Sequence, residues 1–162
     1  MGLLGIFSRP QRTDSVFGEL VYRHGSWQGK AVVPNLISEP VPLALVADKK
    51  DNLSPFHTIW KGILGAVEAL KEQIAQAAFE TYRRYVRQDL ERGNFVESDY
   101  LEYPSVSCVA DVWKVFTPID VTLTLKEPEF NAVFSFDVYW PNPHMFEAYF
   151  LDDKLHLLDA AG

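Results

Sequence analysis

The chain has 162 residues, 48% of them hydrophobic and 23% charged, with a formal net charge of −7. That size suits a single domain over residues 1–162, and the composition excludes disordered and fibrous classes. The negative balance argues against general nucleic-acid binding. In chain order, Leu3, Leu4, Ile6 and Phe7 form a short apolar start that is expected to dock on the core. It is too short for a signal-peptide core, and nothing in the chain reaches membrane-spanning length. Residues 8–15 are polar and read as a loop. Phe17 to Arg23 and Trp27 to Val33 read as strands joined by the turn signal His24-Gly25-Ser26, which makes a hairpin. Val41 to Ala47 reads as a third strand, with Pro42 marking an edge or an entry.

The next stretch organises the rest. From Ser54 to Gly93, apolar residues recur at helical spacing, among them Phe56, Ile59, Trp60, Ile63, Val67, Leu70 and Ile74. Lys61, Glu68, Lys71, Glu72, Glu80 and Arg83 fall on the opposite side. Ser54 suits an N-cap, Pro55 the first helical position, and Gly93 a left-handed C-cap. The pattern predicts one long helix, which at about 1.5 Å per residue is longer than a small domain is wide. It bends, if anywhere, at Gly62 or Gly65, or projects beyond the sheet at its arginine-rich end.

Residues 94–104 read as loop, and 105–116 as a short second helix carrying Val109, Val112, Trp113 and Phe116. Strands then follow at 119–126, 131–140, 144–151 and 154–158, with a tight turn at Asp152-Asp153. Elements segregated in this way predict an α+β fold. The expected architecture is an antiparallel sheet of two strand meanders, packed on one long central helix and a short second helix.

Chemistry is sparse. Cys108 is the single cysteine and lies in an apolar run, so it reads as a buried, inert thiol. The lone cysteine leaves no intrachain disulfide, which fits a reducing cytoplasm. His24, His57, His144 and His156 show no metal-binding spacing, and no phosphate-binding glycine loop occurs. No cofactor and no metal are expected. The acidic pairs Glu127/Glu129 and Asp152/Asp153 sit at turns, where acids are common for turn reasons alone.

Two features point to binding. Residues 1–93 carry 12 basic and 10 acidic residues, whereas residues 94–162 carry 3 and 12, a balance of −9. An acidic half can steer a basic partner, or it is a solvated sheet face. The run Trp140-Pro141-Asn142-Pro143-His144 is a stiff connection. It reads either as a rigid turn with its aromatic in the core or as an aromatic-and-histidine binding edge. With Trp140 and His144, the acids Glu147, Asp152 and Asp153 complete the candidate partner-binding set.

The motif F-G-E-L-x-Y at 17–22, then Trp27, the long helix, and W-x-x-x-H with F-x-A-x-F-x-D-x-K-L at 140–155 resemble a family of uncharacterised bacterial α+β domains. Related small proteins are regarded as immunity proteins encoded beside toxins. The resemblance implies a non-enzymatic cytoplasmic protein that binds a protein partner, a basic toxin, and neither nucleic acid nor membrane. Two other classes stay open. One is a small hydrolase or ligand-binding enzyme with a site between sheet and helix. The other is a homodimer using the exposed helix end.

Overall fold

The computed structural model describes residues 9–93, 104–139, 145–152 and 154–160. Eight strands form one sheet in the order β1-β2-β3-β4-β5-β6-β7-β8. The first four are β1 (Gln11–Asp14), β2 (Gly18–Arg23), β3 (Ser26–Val33) and β4 (Ile37–Val46). Two helices follow, α1 (Ser54–Gly65) and α2 (Val67–Arg92), and then a short 3-10 helix, Val109–Lys114. The chain closes with β5 (Phe116–Thr124), β6 (Ala132–Val138), β7 (Met145–Leu151) and β8 (Lys154–Ala160).

The expected antiparallel sheet of two meanders is corrected. β4 and β5 pair in parallel, Leu43 beside Val121 and Val46 beside Thr124, so one continuous mixed sheet runs through all eight strands. The physical reason lies in the connection. Parallel neighbours need a crossover of a dozen or more residues, and the helical segment supplies it. β1 replaces the loop expected at residues 8–15. It pairs antiparallel with β2 from Gln11–Val21 to Asp14–Gly18, although its composition is polar. Register rather than propensity makes it a strand. Pro42 opposes Lys30 on β3 and directly precedes Leu43, the first β4 residue paired with β5. Its missing N–H is therefore tolerated inside a central strand.

The single long helix is likewise corrected to two. The Ala66 N–H is shared between the Gly62 and Ile63 carbonyls, and a new helix starts at Val67. Gly62 and Gly65 each cost helix stability of about 1 kcal/mol, so the break falls beside them. Ser54 does not cap the helix through its side chain. Leu53 holds the cap position, and Asn52 Oδ1 accepts the Ser54 N–H at 3.0 Å. At the far end Gly93 has φ +67°, the left-handed conformation expected of a C-cap. His24 and Gly25 also have positive φ, 50° and 83°, as the two-residue β2–β3 hairpin requires.

The core lies between the helices and one face of the sheet. Phe56, Ile63, Leu70, Ile74 and Ala78 meet Phe134, Phe136, Phe146 and Phe150, all fully buried. Leu70→Ala is expected to cost about 2–5 kcal/mol through lost transfer energy and a cavity, and exposed Glu72→Ala under about 0.5 kcal/mol. Urea melts of the two variants check this. Equal midpoints would show that the buried face of α2 is misassigned.

Candidate functional site

Strand alternation sends every second side chain of β5–β7 away from the helices. Val121, Phe134, Phe136 and Phe146 face the core, so Asp120, Ser135, Asp137 and Glu147 face the other way. Register aligns Asp120 with Ser135, Ser135 with Glu147, and Glu147 with Asp159 of β8. The backbone positions of a row crossing four strands therefore read Asp, Ser, Glu, Asp. Neighbouring members are one strand spacing apart, about 4.8 Å.

β5, β6 and β7 contain three carboxylates, Asp120, Asp137 and Glu147, and neither Lys nor Arg. All three lie on the face turned away from the described helices. The C-terminal excess of acid read from the sequence is thus gathered, in part, on one surface. Ser135, buried, donates its hydroxyl to Asp120 Oδ1 at 3.0 Å. The Tyr149 hydroxyl donates to Glu147 Oε2. Tyr149 also stands edge-on to Phe130, with centroids 5.0 Å apart, so an aromatic pair borders the row. Burial pushes the Asp120 carboxyl above the ordinary range. The Ser135 hydroxyl opposes that shift, and the Glu147 charge adds to it.

The candidate residues named from sequence separate. Glu147 stands in the row. Asp152 sits in the β7–β8 turn with φ 58°, its N–H donating to Asn131 Oδ1 and its Oδ1 accepting from Asn131 Nδ2, both at 3.1 Å. Five residues of extended strand, about 17 Å, separate the two. Trp140, His144 and Asp153 lie outside the described residues. So do the apolar start at residues 3–7 and the loop at 94–103. Cys108 is exposed, which corrects the buried thiol expected from its neighbours. It occupies the N-cap of the 3-10 helix, where the Asp111 carboxylate accepts its N–H at 3.2 Å. That capping geometry, not hydrophobicity, sets its position.

A third group escaped the sequence reading. Asp14 is 8% exposed at the end of β1. Its Oδ1 accepts the Val16 N–H at 2.8 Å and the Phe17 N–H at 3.0 Å. Both its oxygens lie 3.0 Å from His57 Nε2 on α1. The signal was present: an Asp two residues before Val16 can bond its own backbone in a turn. The pair ties the β1–β2 turn to α1 and lies away from the acidic row. The layer between sheet and helices holds packed apolar side chains, with Phe56 and Phe134 fully buried there. Among the described residues, no helix is long and apolar enough to cross a membrane.

Among the described residues, the chain is an α+β domain with its helices on one sheet face and the acidic row on the other. The chain belongs to the family described as a domain of unknown function, DUF6985, whose model matches residues 16–160. No curated protein and no solved structure matches it.

Proposed function

We propose that this is a non-enzymatic binding protein that engages a basic protein partner through the face of its sheet turned away from the described helices. The observation that carries the reading is that all three ionisable side chains of β5–β7 other than Tyr149 are carboxylates on that one face. A surface of one sign raises association rates with oppositely charged partners, and salt screens the effect within about 8 Å at physiological strength. The Phe130–Tyr149 pair adds an aromatic patch beside the charge, the residue type favoured at interface anchors. Asp152, exposed in the turn at the end of β7, lies at the rim of this face. In its narrower form the reading makes the partner a basic toxin and the protein a bacterial immunity protein of the cytoplasm. The support for that form is the sequence resemblance.

Asp137→Lys combined with Glu147→Lys tests the surface. Affinity capture from the native host supplies the partner, and stopped-flow kinetics supply the rates. The double reversal is expected to slow association about tenfold or more at low salt and to flatten its salt dependence. Dissociation should change little where these charges sit at the rim. An association rate indifferent to both salt and charge reversal would exclude the acidic face as the docking surface.

A further inference from the structure

β8 is the last strand of the sheet and pairs, among the described residues, with β7 alone. Among those residues, its outer edge is a place where backbone N–H and C=O groups have no strand to meet. The Leu155 N–H at this edge is met by a side chain. Gln73 on α2 reaches across, and its Oε1 accepts that N–H at 2.9 Å. An amide carbonyl from a helix thus stands where the carbonyl of a ninth strand would stand.

Alongside runs a groove of about 470 Å³ between α2 and Leu155. Its helical wall spans residues 69–80, about 16 Å at 1.5 Å per residue. That length matches about five residues of extended chain at 3.3 Å each. Ala69 and Ala77 keep part of the wall low, and Glu72, Gln76 and Glu80 form the polar part. Glu80 is held by Gln76, whose Nε2 donates to its Oε1 at 2.7 Å. Among the described residues, no Lys or Arg lines the groove.

We infer that this groove receives an extended basic segment of a partner protein, which adds to β8 as a ninth strand. The Gln73 carboxamide swings off the Leu155 N–H, and a carbonyl of the incoming strand replaces it. Main-chain hydrogen bonds supply affinity in this mode of recognition, and alternate side chains supply specificity. Lys or Arg on the side of the strand nearest α2 meets Glu72 and Glu80. Gln73 keeps the free protein from pairing edge to edge, because it occupies one edge donor until a better acceptor arrives. This inference rests on the β8 edge and stands whether or not the acidic sheet face also binds.

The test uses the full chain and an acetylated seven-residue peptide of alternating Lys and Val, with a Glu–Val peptide as control. Backbone amide spectra locate the peptide, and fluorescence anisotropy gives its affinity. The expected result is binding of the Lys–Val peptide alone, with shifts centred on Leu155 and its β8 neighbours. Glu72→Lys with Glu80→Lys should weaken it tenfold or more. Gln73→Ala should strengthen it about two- to tenfold, the range that one net hydrogen bond is worth, because the competing acceptor is gone. Glu72 and Glu80 are exposed and Gln73 is half-buried, and all three lie outside the core, so circular dichroism should show intact folds. The inference is overturned if the peptide fails to bind at millimolar concentration, or if its shifts fall on β5–β7. It is equally overturned if Gln73→Ala leaves affinity unchanged, or if the protein alone forms dimers paired along β8.

Discussion

Phe136→Ala is expected to cost about 3–5 kcal/mol, which is a large part of the 5–15 kcal/mol that holds a domain of this kind folded. The side chain is fully buried in β6. It touches two different elements, with its ring 5.6 Å from Phe116 of β5 and 6.3 Å from Trp113 of the 3-10 helix. Deleting the ring therefore opens a cavity at a junction that no single element can close. Tilted aromatic pairs contribute about 0.5–1.5 kcal/mol each beyond their area, and two are lost together. Phe136→Leu keeps most of the volume and should cost less than half as much. Urea denaturation at pH 7 measures both, and a red shift of Trp113 emission should accompany the alanine variant. A cost under about 1 kcal/mol would mean that the 3-10 helix does not pack on β6 as described.

Such packing was only partly legible in the sequence. The helical face was readable because α1 and α2 follow one period, and Phe56, Ile63, Leu70 and Ile74 are buried where that period puts them. The strands β2 to β8 were readable from alternation and turn residues. Their joining was not. Alternation reports which side of a strand is apolar but says nothing about its neighbour. The parallel β4–β5 pairing follows only from asking what lies between those two strands, and a helical crossover returns the chain to the starting end of the sheet. β1 escaped because Gln11-Arg12-Thr13-Asp14 lacks the β-branched and aromatic residues that mark strands.

The candidate site shows the same division. The count of acids in residues 94–162 was open to inspection, but a charge balance has no direction in space. Only the register shows that Asp120, Asp137 and Glu147 share a face, while Asp152 serves its turn. Cys108 shows the opposite error. Val106 beside it is buried and Cys108 is exposed, because a cap position overrides the hydrophobicity of its neighbours.

Asp14 carries the second large effect, and its size depends on pH. Asp14→Ala is expected to cost on the order of 3 kcal/mol at pH 7, since it strips the acceptor from the Val16 and Phe17 N–H groups and from His57. Phe17 is itself packed against His57 and Trp60, with centroids 5.5 and 5.9 Å away, so the loss spreads into the α1 interface. Asp14→Asn keeps an acceptor oxygen for the backbone donors and gives up the charge toward His57. It should therefore fall between the alanine variant and the wild type. Burial, the largest influence on this carboxyl, raises its pKa, but the Val16, Phe17 and His57 hydrogen bonds together outweigh it and hold the group below its ordinary value of 3.8. A carboxyl that is more acidic in the folded state stabilises the fold above its unfolded value, and that contribution disappears as pH falls through the lowered folded one. The stability gap between wild type and Asp14→Asn should accordingly be full at pH 7, shrink below about pH 4, and close once both states are protonated. Denaturant melts of the two proteins from pH 7 to pH 2 measure that gap directly. A gap that stays constant, or widens toward acid, would show that the Asp14 charge does not lock the β1–β2 turn to α1.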